Sequence, residues 1–222
     1  MPAALVIGAS RGLGLEFVRQ YRAAGLQVVA TARSDAGLAA ISELGATALK
    51  LDVADTASAA GLAWQIDGYR FDTVVINAGV LGPETMGMIT PTEDDFDQVM
   101  RTNVLGPMRV LPQLVDALAP GARIAVMSSI AGSIGLRQTP RYWLYRASKA
   151  ALNSVLKDAS IVLAGRAICI SLHPGWVRTD MGGASADIDA PTSVAGMRKV
   201  LAGLTDADNG GFFDYDGQPL TW

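Results

Sequence analysis

The stretch Ala3-Ala4-Leu5-Val6-Ile7-Gly8-Ala9-Ser10-Arg11-Gly12-Leu13-Gly14 decides the fold. An unbroken apolar run meets a glycine-rich turn, and Leu13–Ala23 continues with helical periodicity. A short continuous apolar run reads as a strand buried on both faces, as in a parallel sheet covered by helices on either side. Glycine permits a tight turn and lets a ligand approach the backbone with no Cβ in the way. The helix start behind it offers free N–H groups and the positive end of a dipole, a setting for phosphate. The spacing is Gly-x-x-x-Gly-x-Gly, which differs from the Gly-x-Gly-x-x-Gly fingerprint. Alone, such a turn also reads as tight strand-to-helix packing. Its place at the head of an alternating pattern favours the phosphate.

Outward from this turn the alternation repeats. Gln27–Thr31, Ala46–Leu51, Thr73–Ile76, Arg123–Met127 and Ala167–Leu172 read as strands, with Gly211–Asp214 a weaker last one. Ala36–Leu44, Ala57–Gln65, Phe96–Leu118 and Tyr142–Leu163 read as the helices between them. This order predicts an α/β fold: a Rossmann-type doubly wound parallel sheet flanked by helices, in a single domain over residues 1–222. Thr90-Pro91-Thr92-Glu93 reads as a capping box with Pro at the first helical position. Asp180–Ala190 reads as a mobile loop, and Pro191 as the restart of helix at Thr192–Leu201.

Composition narrows the function classes. Half of the 222 residues are apolar and 18% are charged, a balance opposite to that of disordered chains. The net charge of −3 and the absence of a basic block exclude nucleic acid as a main partner. Cys169 is the only cysteine, so no internal disulfide forms, and its apolar surroundings read as core. His173, the only histidine, has no companions at metal-ligand spacing and reads as structural. No apolar run is long enough to span a bilayer, and the first run is too short for a signal segment. The expected location is the cytoplasm, with no membrane partner.

The end of the second strand bears on which dinucleotide would fit. An acidic residue there would hold ribose hydroxyls. The sequence instead runs Val29-Ala30-Thr31-Ala32-Arg33, and the first acid is Asp35. Arg33, with Arg11 in the glycine turn, offers planar donor forks suited to a 2′-phosphate, which favours NADP(H) over NAD(H). Asp52 and Val53, after the third strand, are placed to meet an adenine amino group and ring.

Tyr145-Arg146-Ala147-Ser148-Lys149 carries the candidate chemistry. Residues i and i+4 project from one helix face. An ammonium beside a phenol favours the phenolate and brings the phenol toward proton exchange near neutral pH. Helices carry such pairs by chance, so context decides. Ser128-Ser129-Ile130-Ala131-Gly132 ends the fifth strand, where α/β sheets bind ligands, and Asn77-Ala78-Gly79 ends the fourth. Asn103 stands inside the long helix, as a helix-kinking water-binder or an ordinary exposed residue.

Taken together these residues resemble the short-chain dehydrogenase/reductase family over nearly the whole chain. Gly8, Gly12 and Gly14 match its cofactor glycines, Asp52 its adenine-contacting acid, and Asn77-Ala78-Gly79 its Asn-Ala-Gly element. Asn103 matches its helix asparagine, and Ser129, Tyr145 and Lys149 its catalytic set. Pro174, Gly175, Val177 and Thr179 match the turn beside the nicotinamide, while Ser10 and Leu13 lie in the glycine turn. The aromatic ending Asn209–Gly217 resembles that of a compact carbonyl-reductase and C-factor-like branch. The resemblance implies hydride transfer between NADP(H) and a carbonyl/alcohol pair. Ser129 would polarise the substrate oxygen and Tyr145 exchange its proton. Lys149 would hold the nicotinamide ribose and lower the phenol pKa, and Asn103 would hold a water linking Lys149 to solvent. It also implies a homodimer or homotetramer.

Ser129 rather than Ser128 aligns because it directly precedes Ile-Ala-Gly. Leu136–Leu144 is longer than in many members, and would wall the site or bring Tyr142 beside it. Trp143 and Trp176 flank the site, as pocket lining or as packing. An alternative class remains: a regulatory or signalling protein that binds NADP(H) with little turnover.

Overall fold

The computed structural model describes residues 1–222. Its strands are β1 (Ala3–Ile7), β2 (Gln27–Ala32), β3 (Thr47–Lys50), β4 (Phe71–Ile76), β5 (Leu118–Met127), β6 (Ala167–His173) and β7 (Phe212–Asp214). They form one sheet in the order β3-β2-β1-β4-β5-β6-β7. Every pairing is parallel. The order reverses between β2-β1 and β1-β4, which opens a crevice at the carboxyl ends of β1 and β4.

The period of two along each strand splits the core. Leu5 and Ile7 of β1 join Val74, Ile124 and Cys169 on one face. Ala4 and Val6 join Val75, Ala125 and Ile170 on the other. The helices are α1 (Gly12–Ala23), α2 (Asp35–Glu43), α3 (Thr56–Ala60), α4 (Leu62–Gln65), α5 (Glu93–Met100), α6 (Gly106–Leu114), α7 (Trp143–Val162) and α8 (Ala190–Gly203). Leu62 of α4, Leu114 of α6 and Leu156 of α7 cover the first face. Phe17 of α1, Ile41 of α2 and Met197 of α8 cover the second. This is the doubly wound α/β arrangement expected from the alternation.

Several boundaries differ from the sequence reading. The segment read as one helix over Phe96–Leu118 is α5, a π-helical turn (Arg101–Leu105), α6 and a 3-10 turn (Val115–Ala117), and Leu118 already pairs with Phe71. Its cap is Thr92 rather than Thr90: Thr92 Oγ1 accepts from Asp95 N at 3.0 Å, which leaves Pro91 outside the helix. Gly61 divides Ala57–Gln65 into α3 and α4. At α8, Asp189 caps by accepting from Thr192 N at 2.8 Å, so Pro191 sits inside the first turn and the helix starts before Thr192.

The loop before α8 is tied down at several points. Arg178 Nη1 donates to the carbonyls of Ala186 and Asp187 at 2.9 and 3.1 Å. Trp176 Nε1 donates to Gly182 O at 2.8 Å, and Val177 bridges Ile188. Trp176 therefore anchors this loop through its indole N–H.

Candidate active site

The glycine turn is built by fit. Gly8 has φ +85°, and a Cβ there would stand 2.7 Å from Ala78 Cα. A Cβ on Gly14 would stand 2.2 Å from Gly8 O, so only glycine lets α1 close onto the turn. Asn77 Nδ2 donates to Gly8 O at 2.6 Å, and Gly8 N donates to Thr31 Oγ1 at 3.0 Å. Asn77 and Ala78 thus brace the turn from below, a more specific part than the sequence suggested. The first turn of α1 carries no acidic residue, and its N-cap, Arg11, makes no side-chain cap. Its free N–H groups and the glycine cradle suit a pyrophosphate.

Ser10 and Leu13 are partly buried beside this turn. Thr179 Cγ2 lies 3.6 Å from where a Gly12 Cβ would be, which places the Pro174–Thr179 turn across the crevice. Arg11 Nη1 reaches over to Asp180 Oδ2 at 2.5 Å, both side chains 73% exposed. Arg33 is exposed past the end of β2, while Asp35 pairs with Lys50 at 3.2 Å. The acid nearest the adenosine end is therefore engaged elsewhere.

Asp52 closes its own turn, its Oδ1 accepting from Ala54 N at 2.9 Å. Val53 is buried against Gly106, where a Cβ would stand 2.9 Å from Val53 Cγ2. Arg109 clamps this turn, donating to Val53 O at 3.1 Å, Ala54 O at 2.8 Å and Thr56 Oγ1 at 2.8 Å. Nothing in the local sequence marks Arg109, because its partners lie more than fifty positions away.

The chemistry-bearing residues meet at the carboxyl end of β5. Lys149 is 4% exposed, and its Nζ donates to Met127 O at 2.7 Å. The same Nζ lies 5.6 Å from the centroid of the Tyr145 ring and 3.4 Å from where a Gly79 Cβ would be. Burial pulls the Lys149 ammonium down to about 8. It pushes the Tyr145 phenol up to about 12, and the hydrogen-bonded Ser129 hydroxyl pulls the other way. The lowering of the phenol expected from the ammonium is not what shapes it here: desolvation dominates, opposed by the Ser129 hydroxyl.

The two serines separate cleanly. Ser128 is buried, and its Oγ donates to Asn153 Oδ1 at 2.6 Å. Ser129 faces Tyr145 and accepts from Ala131 N at 3.1 Å, which caps the 3-10 turn Ile130–Gly132.

Asn103 is fully buried in the π-helical turn, a local widening often found at functional sites. Its Oδ1 accepts from Val80 N, and its Nδ2 donates to Val80 O, both at 2.8 Å. Nδ2 also donates to Ser148 Oγ at 2.9 Å, and Ser148 donates on to Tyr145 O at 2.7 Å. The side chain therefore locks the loop after β4 to α7. The side chain is thus buried, in contrast to the exposed asparagine of the alternative reading.

Tyr142 is the one non-glycine residue in the left-handed region, with φ 56° directly before α7. Its N–H donates to Thr85 O at 2.9 Å, and Arg141 pairs with Glu84, so the long Leu136–Leu144 segment is tied to the 84–85 loop. His173 is held down to about 4 by burial, hence neutral. A cavity of about 730 Å³ lies between α8 and β7, and none of these residues lines it. No group of His, Cys, Asp and Glu is arranged to hold a metal, and no helix is long and apolar enough to cross a membrane.

Comparison with known proteins adds to this geometry. Residues 2–189 match the family model of short chain dehydrogenases. The C-signal of Myxococcus xanthus is 39% identical over 158 residues, spanning 68% of this chain and 92% of that protein. The carbonyl reductase Sniffer of D. melanogaster superposes over the whole of both chains with a TM-score of 0.89 at 31% identity. A carbonyl reductase of Pseudomonas aeruginosa PAO1 in complex with NADP does so with a TM-score of 0.86 at 33% identity.

Proposed function

This chain belongs to the short-chain dehydrogenase family of oxidoreductases, and we propose that it is an NADP(H)-dependent carbonyl reductase acting through Ser129, Tyr145 and Lys149. The observation that carries the reading is the meeting of a buried ammonium, a phenol and a serine hydroxyl at the carboxyl end of β5, the strand beside β4 and its crevice. A lysine buried with a single protein acceptor suits a ligand that takes its remaining donors.

The glycine turn of Gly8, Ser10, Arg11, Gly12, Leu13 and Gly14 would hold the pyrophosphate, and Arg11 with Arg33 the 2′-phosphate. Asp52 and Val53 would meet the adenine. Gly79, Lys149, Pro174, Gly175, Val177 and Thr179 would surround the nicotinamide riboside, with Asn77 and Ala78 bracing from behind. The bound NADP(H) supplies the hydride in reduction and accepts it in oxidation.

The chain's own residues handle the proton. In reduction, Ser129 donates a hydrogen bond to the substrate carbonyl oxygen and fixes its position. The Tyr145 hydroxyl gives its proton to the same oxygen. Lys149, protonated at neutral pH because about 8 lies above it, then faces the phenolate as a cation. Asn103 keeps α7 at the right depth by tying Ser148 to Val80. The whole chain works as one NADP(H)-binding unit on a small carbonyl or alcohol. It pairs into a homodimer or homotetramer through the α5–α6 face, where Phe96, Leu105 and Met108 are exposed.

The test mixes wild type and Tyr145→Phe with NADPH, NADH and a panel of aldehydes, ketones and diketones, following absorbance of the reduced cofactor. Turnover with NADPH by wild type alone supports the reading. Near-normal turnover by Tyr145→Phe overturns the assignment. The likeness to a protein named C-signal favours a second reading, a signalling protein that binds NADP(H). Tight NADPH binding with no turnover across the panel would select it.

A further inference from the structure

The turn that carries Ser129 is gripped on two sides. On one side Gly132 lies flat on α7, where a Cβ would stand 2.9 Å from the Lys149 carbonyl carbon and 3.0 Å from its Cβ. The position of the serine turn and that of the lysine are therefore mechanically linked.

On the other side the turn meets the residues that follow β7. Ser133 is fully buried; its Oγ donates to the Trp222 carbonyl at 3.3 Å and accepts from Leu136 N at 3.0 Å. Gly135 N donates to the same Trp222 carbonyl at 3.1 Å. A Cβ on Gly135 would stand 3.3 Å from Thr221 Cγ2, so the two backbones pass closely.

Trp222 is in turn moored to the sheet. Its ring stacks on Phe212 with centroids 5.3 Å apart and 21° between planes. Phe212 is a buried residue of β7, and its carbonyl accepts from Leu220 N at 2.8 Å. A continuous path thus runs from β7 through the Trp222 ring and carbonyl to Ser133, four residues after Ser129.

We propose that Trp222 is a positioning residue for Ser129: its ring fixes its carbonyl, and its carbonyl fixes the far end of the serine turn. This rests on the reading of Ser129 as the group that holds the substrate oxygen. Trp222 as a whole residue is 41% exposed, so the contact adds little to the core. Its effect is local. Losing the ring frees residues 219–222, the Trp222 carbonyl drifts, and Ser133 and Gly135 lose their shared acceptor. The serine turn then loosens while the glycine cradle, at the carboxyl end of β1 two strands away, keeps its shape.

The test compares wild type, Trp222→Ala and Trp222→Phe by hydrogen–deuterium exchange and by steady-state kinetics, with NADPH binding as control. Trp222→Ala is expected to speed exchange of the 131–136 amides at least five-fold, with α1 and β1 unchanged. The kcat is expected to fall about ten-fold, since small misplacements of a positioning group have effects of this order. NADPH affinity should stay within two-fold, and Trp222→Phe, which keeps the stack, should restore both readouts.

Unchanged exchange over 131–136 overturns the clasp. Faster exchange with wild-type kcat overturns its consequence for the reaction. A joint loss of NADPH binding, unrescued by phenylalanine, makes the residue merely structural and overturns the proposal as well. A wild type that binds NADPH without turning over the panel defeats the catalytic reading, and with it the role of Trp222 toward Ser129. The exchange comparison still decides whether the clasp exists.

Discussion

Replacing Lys149 with methionine should make the protein more stable while ending its chemistry. The side chain is 4% exposed, and burial pulls its ammonium from the ordinary 10.5 down to about 8. The unfolded chain takes up this proton below its ordinary pKa, while the folded chain does so only below about 8. Stability from this group is therefore full at high pH and is lost as pH falls toward 8. At neutral pH the whole penalty applies, about 3 kcal/mol at about 1.4 kcal/mol per pH unit. Methionine has similar length and no charge. It forfeits the bond to Met127 O, about 2 kcal/mol while the donor is an ammonium and about 1 kcal/mol once it is neutral. The net expectation is a gain of about 1 kcal/mol at about pH 7, gone by about pH 10 as the wild type sheds its penalty. Urea unfolding of both proteins across that range, followed by tryptophan fluorescence, measures it. A variant less stable than wild type at neutral pH, or a difference that does not vary with pH, refutes the reasoning.

Gly8→Ala forces a Cβ to 2.7 Å from Ala78 Cα at φ +85°, and should destabilise by about 2 kcal/mol and abolish NADPH binding, measured by unfolding and titration. Ser128→Ala should keep turnover but lose about 1–2 kcal/mol by leaving Asn153 Oδ1 unpaired, whereas Ser129→Ala should keep stability and lose at least about a hundred-fold in kcat. Arg11→Ala with Arg33→Ala should raise the Kd for NADPH at least about ten-fold and leave NADH nearly unchanged; an unmoved NADPH/NADH preference counts against the two arginines. Asn103→Leu removes three buried hydrogen bonds, and should lower stability by about 2–4 kcal/mol, read from its unfolding midpoint.

The sheet was legible where burial on both faces leaves a near-continuous apolar run, as in β1, β2 and β6, whereas the edge strand β3 has no buried residue and carries Lys50. The doubly wound class followed from the alternation and the right-handed crossover rule together. The region from Phe96 to Leu118 misled, because its apolar periodicity continues through a π-helical turn and a 3-10 turn without a change in composition. Asn103 was found by its resemblance, yet its part as a lock between Val80 and Ser148 needed three dimensions. Its bonds cross 23 and 45 positions. Arg109 and Trp222 escaped for the same reason. A residue that acts through the backbone of a distant turn carries no local signature. Alignment alone singled out Ser129 over Ser128, and the Asn153 contact gives the Ser128 hydroxyl a separate part that local sequence does not reveal.

The strand order has a consequence for how the chain is made. β1 lies between β2 and β4, with all five residues buried, yet β4 follows it by more than sixty positions. On a ribosome adding about 5–20 residues per second, one flank of β1 waits roughly 3–14 s for its partner. During that interval an apolar strand offers an open edge, the kind of surface that recruits other chains. The glycine cradle is likewise half-made until Asn77 and Ala78 arrive to support Gly8. A dinucleotide can thus grip the nascent protein only after the central pairing is in place. It acts as a seal on finished molecules, and offers no help to those still emerging.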